Sequence, residues 1–160
     1  MSLAVVREKI RVVMAGVPGT GVIHDYERFS NDWNRFLALF SDPATGTING
    51  AMFSRRQHST QQRTQREHET ADVFVIRRYR ALVDADASGV AFDDHLEAFL
   101  AALRHPKSLN SGGLSTSPDW GPMAGSVGAQ LDVTEPRMFG SVLCHYAELR
   151  LCVARDYIDD

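Results

Sequence analysis

The chain has 160 residues, a net charge of −3 at pH 7, 44% hydrophobic residues and 23% charged residues. This length fits a single domain, 1–160, whose core needs no disulfide or metal ion. The acidic balance argues against a nucleic-acid-binding domain, which is usually basic. No apolar run approaches the ~18 residues of a membrane span, and the charges near the N-terminus are not those of a signal peptide.

The first third of the sequence alternates helical and extended patterns. Apolar residues recur every three or four positions over 3–15, which predicts a helix that ends at the glycines and proline of 16–19. A second stripe of apolar residues predicts a short helix over 32–40. Its members are Trp33, Phe36, Leu37 and Phe40. Short strands are expected over 21–26 and from Ile48 to about Arg56.

The middle of the chain predicts a hairpin followed by a helix. Residues 57–68 contain no apolar side chain, so we interpret them as a solvated, mobile hairpin tip. A strand is expected over 69–83. The clearest helix of the sequence covers 91–105, with acids in its first turn and one apolar face.

The last third begins with a loop and ends with two strands. The segment 106–126 is rich in Gly, Ser and Pro, and loops of this length are often functional or disordered. Strands are expected over about 127–135 and 139–157. The order α-β-(α)-β-β-α-β-β predicts an α+β fold with a mostly antiparallel sheet and two main helices packed on one face.

The hairpin carries the most informative polar feature of the sequence. Residues 55–80 contain seven arginines and three acids, a charge of +4 within a chain of −3. Such asymmetry favours a contact surface for an acidic partner or another subunit, although a solvated hairpin is the alternative. The side chains expected to be solvated and available for contact are Arg55, Arg56, Arg63 and Arg66.

One run of the predicted sheet is apolar on both faces. Val73, Phe74, Val75 and Ile76 are consecutive, which requires burial on both sides of the strand, by the core or by a partner. We therefore add these four residues to the predicted oligomer or partner interface.

The sequence suggests no cofactor, no metal and no catalytic residue. The loop 16–21 is glycine-rich but follows a helix and opens a strand, which is the reverse of a phosphate-binding loop, so we interpret it as a connector. The histidines and acids do not form a zinc-ligand pattern. Cys144 and Cys152 are too far apart on one strand to form a disulfide and are expected to be reduced thiols.

His145 is unusual because it falls on the apolar face of the last predicted strand. It is open to three interpretations: a hydrogen-bonded core residue, an interface residue or a catalytic base. Its neighbour Cys144 points to the opposite side of the strand, so the two cannot act together. His24 is a further histidine that could join such a site.

The order of elements resembles the tail terminator, or tail-completion, proteins of long-tailed phages and prophages. The resemblance covers most of the chain: an N-terminal helix, a Pro-Gly-Thr-Gly turn, the segment His24-Asp25-Tyr26-Glu27-Arg28, a hairpin with a long polar tip, one amphipathic helix and two closing strands. The segment 24–28 is the nearest to a signature.

The resemblance implies a structural subunit without catalytic residues or cofactor. Such subunits form a homo-oligomeric ring, often a hexamer, that caps the tail tube and joins it to the head or neck. The implied location is the host cytoplasm during assembly and then the virion tail, with no membrane and no sequence-specific nucleic acid as partner. The alternative hypothesis is a small cytosolic enzyme or ligand-binding domain that uses His145, His24 and the 106–126 loop as a lid.

Overall fold

The computed structural model describes residues 1–104, 109 and 114–158, and it has an α+β fold. Three helices accompany a mostly antiparallel mixed sheet. The helices are α1 (Leu3–Ala15), α2 (Trp33–Ala38) and α3 (Ser88–Arg104), with a 3-10 turn at Asp84–Asp86. The strands are β1 (Val22–His24), β2 (Asn49–Gln62), β3 (Glu67–Ala81), β4 (Leu114–Ser115), β5 (Ala129–Phe139) and β6 (Val142–Ile158).

The sheet is built on the long antiparallel pairs of β2 with β3 and β3 with β6. Strand β1 adds to the outer edge of β2 and is the one parallel pairing among the strands described. On the other side, β6 pairs with β5 over most of its length and with the two-residue β4 near its C-terminal end. The predicted order of the main elements is confirmed, and β4 is a small addition inside the 106–126 loop.

One face of the sheet, which we call the closed face, is covered by α1 and α3. Val6, Ile10 and Met14 of α1 are fully buried there, as are Phe99 and Leu103 of α3. Strand residues of alternating position complete this core: Ala51, Phe53, Phe74, Ile76, Ala147, Leu149, Leu151 and Val153. The prediction of two main helices on one face is therefore confirmed, because both stripes of apolar residues meet the same side of the pleat.

The opposite face, which we call the open face, is covered only at its two ends. At one end Phe36 of α2 and Phe40, just after α2, pack against Tyr79 and Tyr146. At the other end a separate cluster joins Met123 and Trp120 of the long loop to Ala71, Val73 and Cys152 of the sheet. Between these covers the open face presents Val75, Arg77 and Glu148.

The hairpin turn is shorter than predicted. The sequence places a tip over 57–68, but β2 continues to Gln62 and pairs through Gln62↔His68, so the turn itself lies between Gln62 and Glu67. Backbone hydrogen bonds form a ladder regardless of side-chain polarity, so a polar stretch can still be a strand. A register shift between Arg55 and Gln57 marks a bulge at this point.

Glycine is required where α1 connects to β1. Gly21 has φ +74°, and a Cβ built on it would lie 2.0 Å from the carbonyl oxygen of Asn49. The backbone of the 16–21 connector therefore lies directly against the start of β2. In the described part of the chain, no helix is long and apolar enough to cross a membrane.

Candidate functional site: an aromatic groove on the open face

A groove of 380 Å³ opens on the open face beside α2. The segment 27–30 and the start of α2 form one wall, the sheet forms the floor, and β5 forms the other wall. Phe29 is 78% exposed and Trp33 is 55% exposed, although both are large apolar side chains. Exposed aromatics around a concave surface indicate a contact site, because a solvated Phe or Trp gains by burial against a partner.

The position of Trp33 follows from the ends of two elements. Asp32 caps α2 by accepting a hydrogen bond from the Arg35 amide, so Trp33 is the first helical residue. The Trp33 ring meets Phe36 and Phe139 edge-on. A Cβ built on Gly140 would lie 2.8 Å from the Cβ of Trp33. The tight turn between β5 and β6 thus supports Trp33 on one side and leaves the other side exposed.

The floor of the groove is a charge network that is satisfied internally. Arg77 Nη1 donates to Glu27 Oε1 at 2.5 Å, and Arg77 Nε donates to Glu148 Oε2 at 3.2 Å. Burial opposes the charge of Arg77, but its hydrogen bonds to the two carboxylates outweigh that effect and raise its pKa. The Tyr146 hydroxyl also donates to Glu148 Oε2 at 2.9 Å. The hydrogen bonds of Arg77 connect β3 to the segment 27–30 and to β6.

The rim of the groove carries two arginines stacked on tyrosines. The Arg137 guanidinium lies 4.0 Å from the centroid of the Tyr146 ring and bonds Glu135. The Arg28 guanidinium lies 5.2 Å from the Tyr26 ring and donates to the Tyr26 hydroxyl. Stacked guanidiniums keep donors free for a partner while losing little side-chain entropy, and Trp, Tyr and Arg dominate the energetics of protein interfaces.

The predicted arginine surface is less free than the sequence suggests. Arg55 lies 3.2 Å from Asp72, Arg56 lies 2.6 Å from Glu27, and Arg63 lies 2.6 Å from Glu69. Of the four arginines predicted as contacts, Arg66, in the hairpin turn, is the one that has no ion pair among the described residues. Asp72 and Glu69 are already counted in the local charge of +4, so among these three pairs Glu27 is the acid from outside the hairpin that reduces the excess.

The apolar run on β3 is covered by the chain's own elements. Phe74 and Ile76 lie in the closed-face core, and Val73 is buried under the Met123 cluster. Val75 alone is partly exposed on the open face. Burial on both faces was predicted, and Val73, Phe74 and Ile76 are buried by long-range segments of the same chain, so their part in a subunit contact stays a prediction without further support here.

His145 is held in a small hydrogen-bonded corner. Its Nε2 lies 2.8 Å from Ser88 Oγ, and its ring stacks on Phe92. Burial and the charge of Arg80 lower its pKa. Ser88 is only 6% exposed, and its Oγ already accepts the Val83 amide, which closes the turn before α3. The pair therefore matches the hydrogen-bonded core interpretation better than a nucleophile and base.

In the described part of the chain, the long loop does not lie beside His145. His145 pairs with Arg80 on β3, whereas Leu114 of the long loop pairs with Arg155, ten residues farther along β6 and about 33 Å away. His24 lies on the open face, where its Nε2 donates to the Leu39 carbonyl at 2.8 Å. The parts 106–108 and 110–113 of the loop lie outside the described residues.

A buried arginine, Arg78, lies at the end of the closed face that is next to the 16–21 connector. Arg78 is fully buried and donates to the carbonyls of Gly19, Gly50 and Tyr79, to Asn49 Oδ1 and to His95 Nε2. Burial lowers the pKa of Arg78 to about 9 and that of His95 to about 4. A cleft of 730 Å³ lies beside this cluster. All five guanidinium donors are used internally, so the cluster fixes the connector and α3 rather than a ligand.

Metal and thiol chemistry find no support in the described residues. No group of three or more His, Cys, Asp or Glu side chains there could hold a metal ion. Cys144 and Cys152 are free and buried, as predicted, and burial raises the pKa of each thiol to about 11. Thiols with such pKa values are poor nucleophiles near neutral pH.

The sequence matches no protein-family model, and no curated protein gives a significant match.

The groove residues were not among the predicted contact residues. Trp33 was placed in an apolar stripe and Phe29 in a connecting segment, and Arg137 lies on a different strand far along the chain. The one signal in the sequence was local: three aromatics and an arginine within the stretch Tyr26–Trp33.

Proposed function

We propose that this chain is a structural assembly subunit that works through protein contacts. The observation that carries the proposal is the groove with exposed Phe29 and Trp33, flanked by the stacked arginines Arg28 and Arg137. Its floor charges are already paired with each other, and its tyrosines have pKa values raised by burial, so the groove is built to contact rather than to transfer protons.

Within that class, we propose a tail terminator or tail-completion role in a phage or prophage. The subunit would form a homo-oligomeric ring at the end of the tail tube and join the tube to the head or neck. The support is the resemblance in element order over most of the chain, together with a contact surface on the face that the chain's own helices leave open. Of the earlier contact candidates, Arg55, Arg56, Arg63 and Arg66 are exposed and Val75 is partly exposed, although the first three also form ion pairs within the chain.

The test is loss of the coding sequence in the phage or prophage that carries it. Without the subunit, electron microscopy should show tails of irregular length that are not joined to heads, and expression of the wild-type chain in trans should restore joined particles. Tails of normal length on infectious particles would overturn the proposal, as would a coding sequence that lies outside any phage or prophage.

A further inference from the structure

The groove presents apolar and cationic side chains together. Its aromatic wall exposes Phe29 and Trp33, which require apolar cover, and its rim carries Arg28 and Arg137. Among the described residues, the Arg28 guanidinium bonds only the Tyr26 hydroxyl, and Arg137 bonds Glu135 through Nε and Nη2, which leaves its Nη1 out of that pair. The five charged residues lining the groove are three arginines and two glutamates, and Arg77 already bonds both glutamates. A fitting occupant is therefore a protruding segment with small apolar side chains among carboxylates.

The chain itself presents such a segment at the corner between β3 and α3, residues 83–94. Val83 is 41% exposed and Val90 is 66% exposed. The corner also carries four aspartates and no basic residue, and no ion pair among the described residues involves any of them. They are Asp84, Asp86, Asp93 and Asp94, all on the surface. Other acids, such as Glu27, Glu69 and Asp132, are paired with arginines of the same chain.

The corner and the groove belong to different sides of the molecule. Helix α3 covers the closed face, whereas the groove is on the open face, so one subunit cannot fill its own groove. The corner is also a firm feature: Ser88 Oγ accepts the Val83 amide at 2.8 Å, and Ala87 has φ 48°. A preorganised knob binds with a smaller loss of conformational entropy than a flexible loop.

We propose that the groove of one copy receives the 83–94 corner of a second copy. Val83 and Val90 would cover Phe29 and Trp33, while the aspartates meet Arg28 and Arg137. Such a contact is head-to-tail, because two different surfaces meet, and repeated contacts of this kind close into a ring when the rotation between copies allows. The inference rests on the proposed ring-forming function and names the surfaces that would build the ring.

The experiment uses two variants of the whole chain, each of which removes one half of the contact. The groove variant combines Trp33→Ala with Arg137→Glu, and the corner variant combines Asp86→Lys with Val90→Lys. A matched control, Val12→Ala with Arg11→Glu, changes an exposed valine and a surface arginine of α1, neither of which is a predicted contact residue. Sedimentation velocity measures the mass of each protein alone and of mixtures, and circular dichroism verifies that each is folded.

The wild-type chain and the control should form the same species larger than a monomer, and each contact variant alone should be monomeric. An equal mixture of the two variants should give a heterodimer and nothing larger, because only one intact groove and one intact corner can meet. If Trp33→Ala prevents folding, Arg28→Glu with Arg137→Glu replaces the groove variant, since both arginines are at the rim.

The other outcomes overturn the inference in distinguishable ways. Assembly of either variant like the wild type would place the contact elsewhere and leave the proposed function standing. A mixture that stays monomeric would show that the groove and the corner do not meet. A wild-type chain that is monomeric at every concentration would remove this contact and the isolated ring together, whereas the phage deletion test would still decide the assembly role.

Discussion

The two faces of the sheet differ in how much of each is covered by the chain's own elements. On the closed face, α1 and α3 bury apolar side chains along most of the sheet, and the buried charged residues Arg78 and Asp72 have internal partners. On the open face, α2 and the Met123 cluster cover only the two ends. The closed face therefore holds the fold together, and the open face is where exposed Phe29 and Trp33 are left for another molecule.

The closed face also shows two solutions for a buried charge on one strand. Asp72 and Arg78 are both fully buried on β3, six residues or about 20 Å apart. Asp72 has charged partners, Arg55, His58 and Arg155, at 2.8 to 3.2 Å. Arg78 instead uses neutral acceptors. Stability should be sensitive at both ends of this face and insensitive at the groove.

The largest effect is expected for Arg78→Met. The change removes five donors and leaves buried acceptors on three backbone carbonyls, Asn49 and His95 without partners. We expect the free energy of unfolding to fall by about 3–5 kcal/mol, measured by urea denaturation. The neighbouring Arg80→Met, whose hydrogen bond to Ala91 is long and exposed, should cost less than about 1 kcal/mol. Equal losses for the two variants would contradict this account.

Asp72→Asn should have the next largest effect. It leaves Arg155 and Arg55 next to a neutral amide at a buried position, although Arg55 and His58 can turn towards water. We expect a loss of about 2–3 kcal/mol in urea denaturation. The control is Asp132→Asn, which removes an exposed pair with Arg150 and should cost less than about 1 kcal/mol. An Asp72→Asn variant as stable as the control would show that the pairs at Asp72 contribute nothing net.

The pH dependence of stability tests the Arg78 end separately. The pKa of His95 is about 4 in the folded chain and 6.5 ordinarily, so between pH 6.5 and 4 the unfolded chain binds a proton that the folded chain does not. The free energy of unfolding should therefore fall as the pH decreases through this window, by about 1–3 kcal/mol from this residue.

The matched variant is His95→Gln, which keeps a neutral acceptor within reach of Arg78. Urea denaturation at several pH values should show a smaller loss for this variant than for the wild type. His145 also has a lowered pKa and contributes a loss of the same sign to both proteins, so the difference between them isolates His95. Parallel curves for the two proteins would assign the pH dependence to other groups.

The smallest effect is expected on the open face. Phe29→Ser should change the free energy of unfolding by less than about 0.5 kcal/mol, because its side chain is 78% exposed. Phe36→Ala, seven positions along and buried under the same groove, should cost about 3–5 kcal/mol. If Phe29→Ser proved as destabilising as Phe36→Ala, the groove wall would be part of the core and not a contact surface.

The sequence alone predicted the two helices that cover the closed face. Helical spacing located α1 to the residue and α3 to within three residues, because each helix buries one regular stripe. The sequence did not predict features that depend on pairing between distant segments of the chain. The polar stretch 57–62 joins β2 because β3 provides its backbone partners, and Asp72 is buried because Arg155, far along the chain, reaches it. Neither feature could be predicted from a local pattern in the sequence.

The candidate site was hidden for the same reason. Its walls come from the segment 27–30, α2 and β5, which are adjacent only after the sheet forms. The apolar stripe of α2 predicted burial for Trp33, and Phe36 and Phe40 are indeed buried, but Trp33 is the first helical residue and stays half exposed. The arginines at 55–66 were predicted as contacts from the local charge excess. Only the structure shows that three of them are paired with acids.

The most direct test of the central claim is the shape of the assembled wild-type protein. Purified chain is concentrated until sedimentation shows a single species larger than a monomer and is then imaged by negative-stain electron microscopy. The account predicts closed rings whose class averages have rotational symmetry. Monomers at every concentration, or open filaments in place of rings, would contradict it.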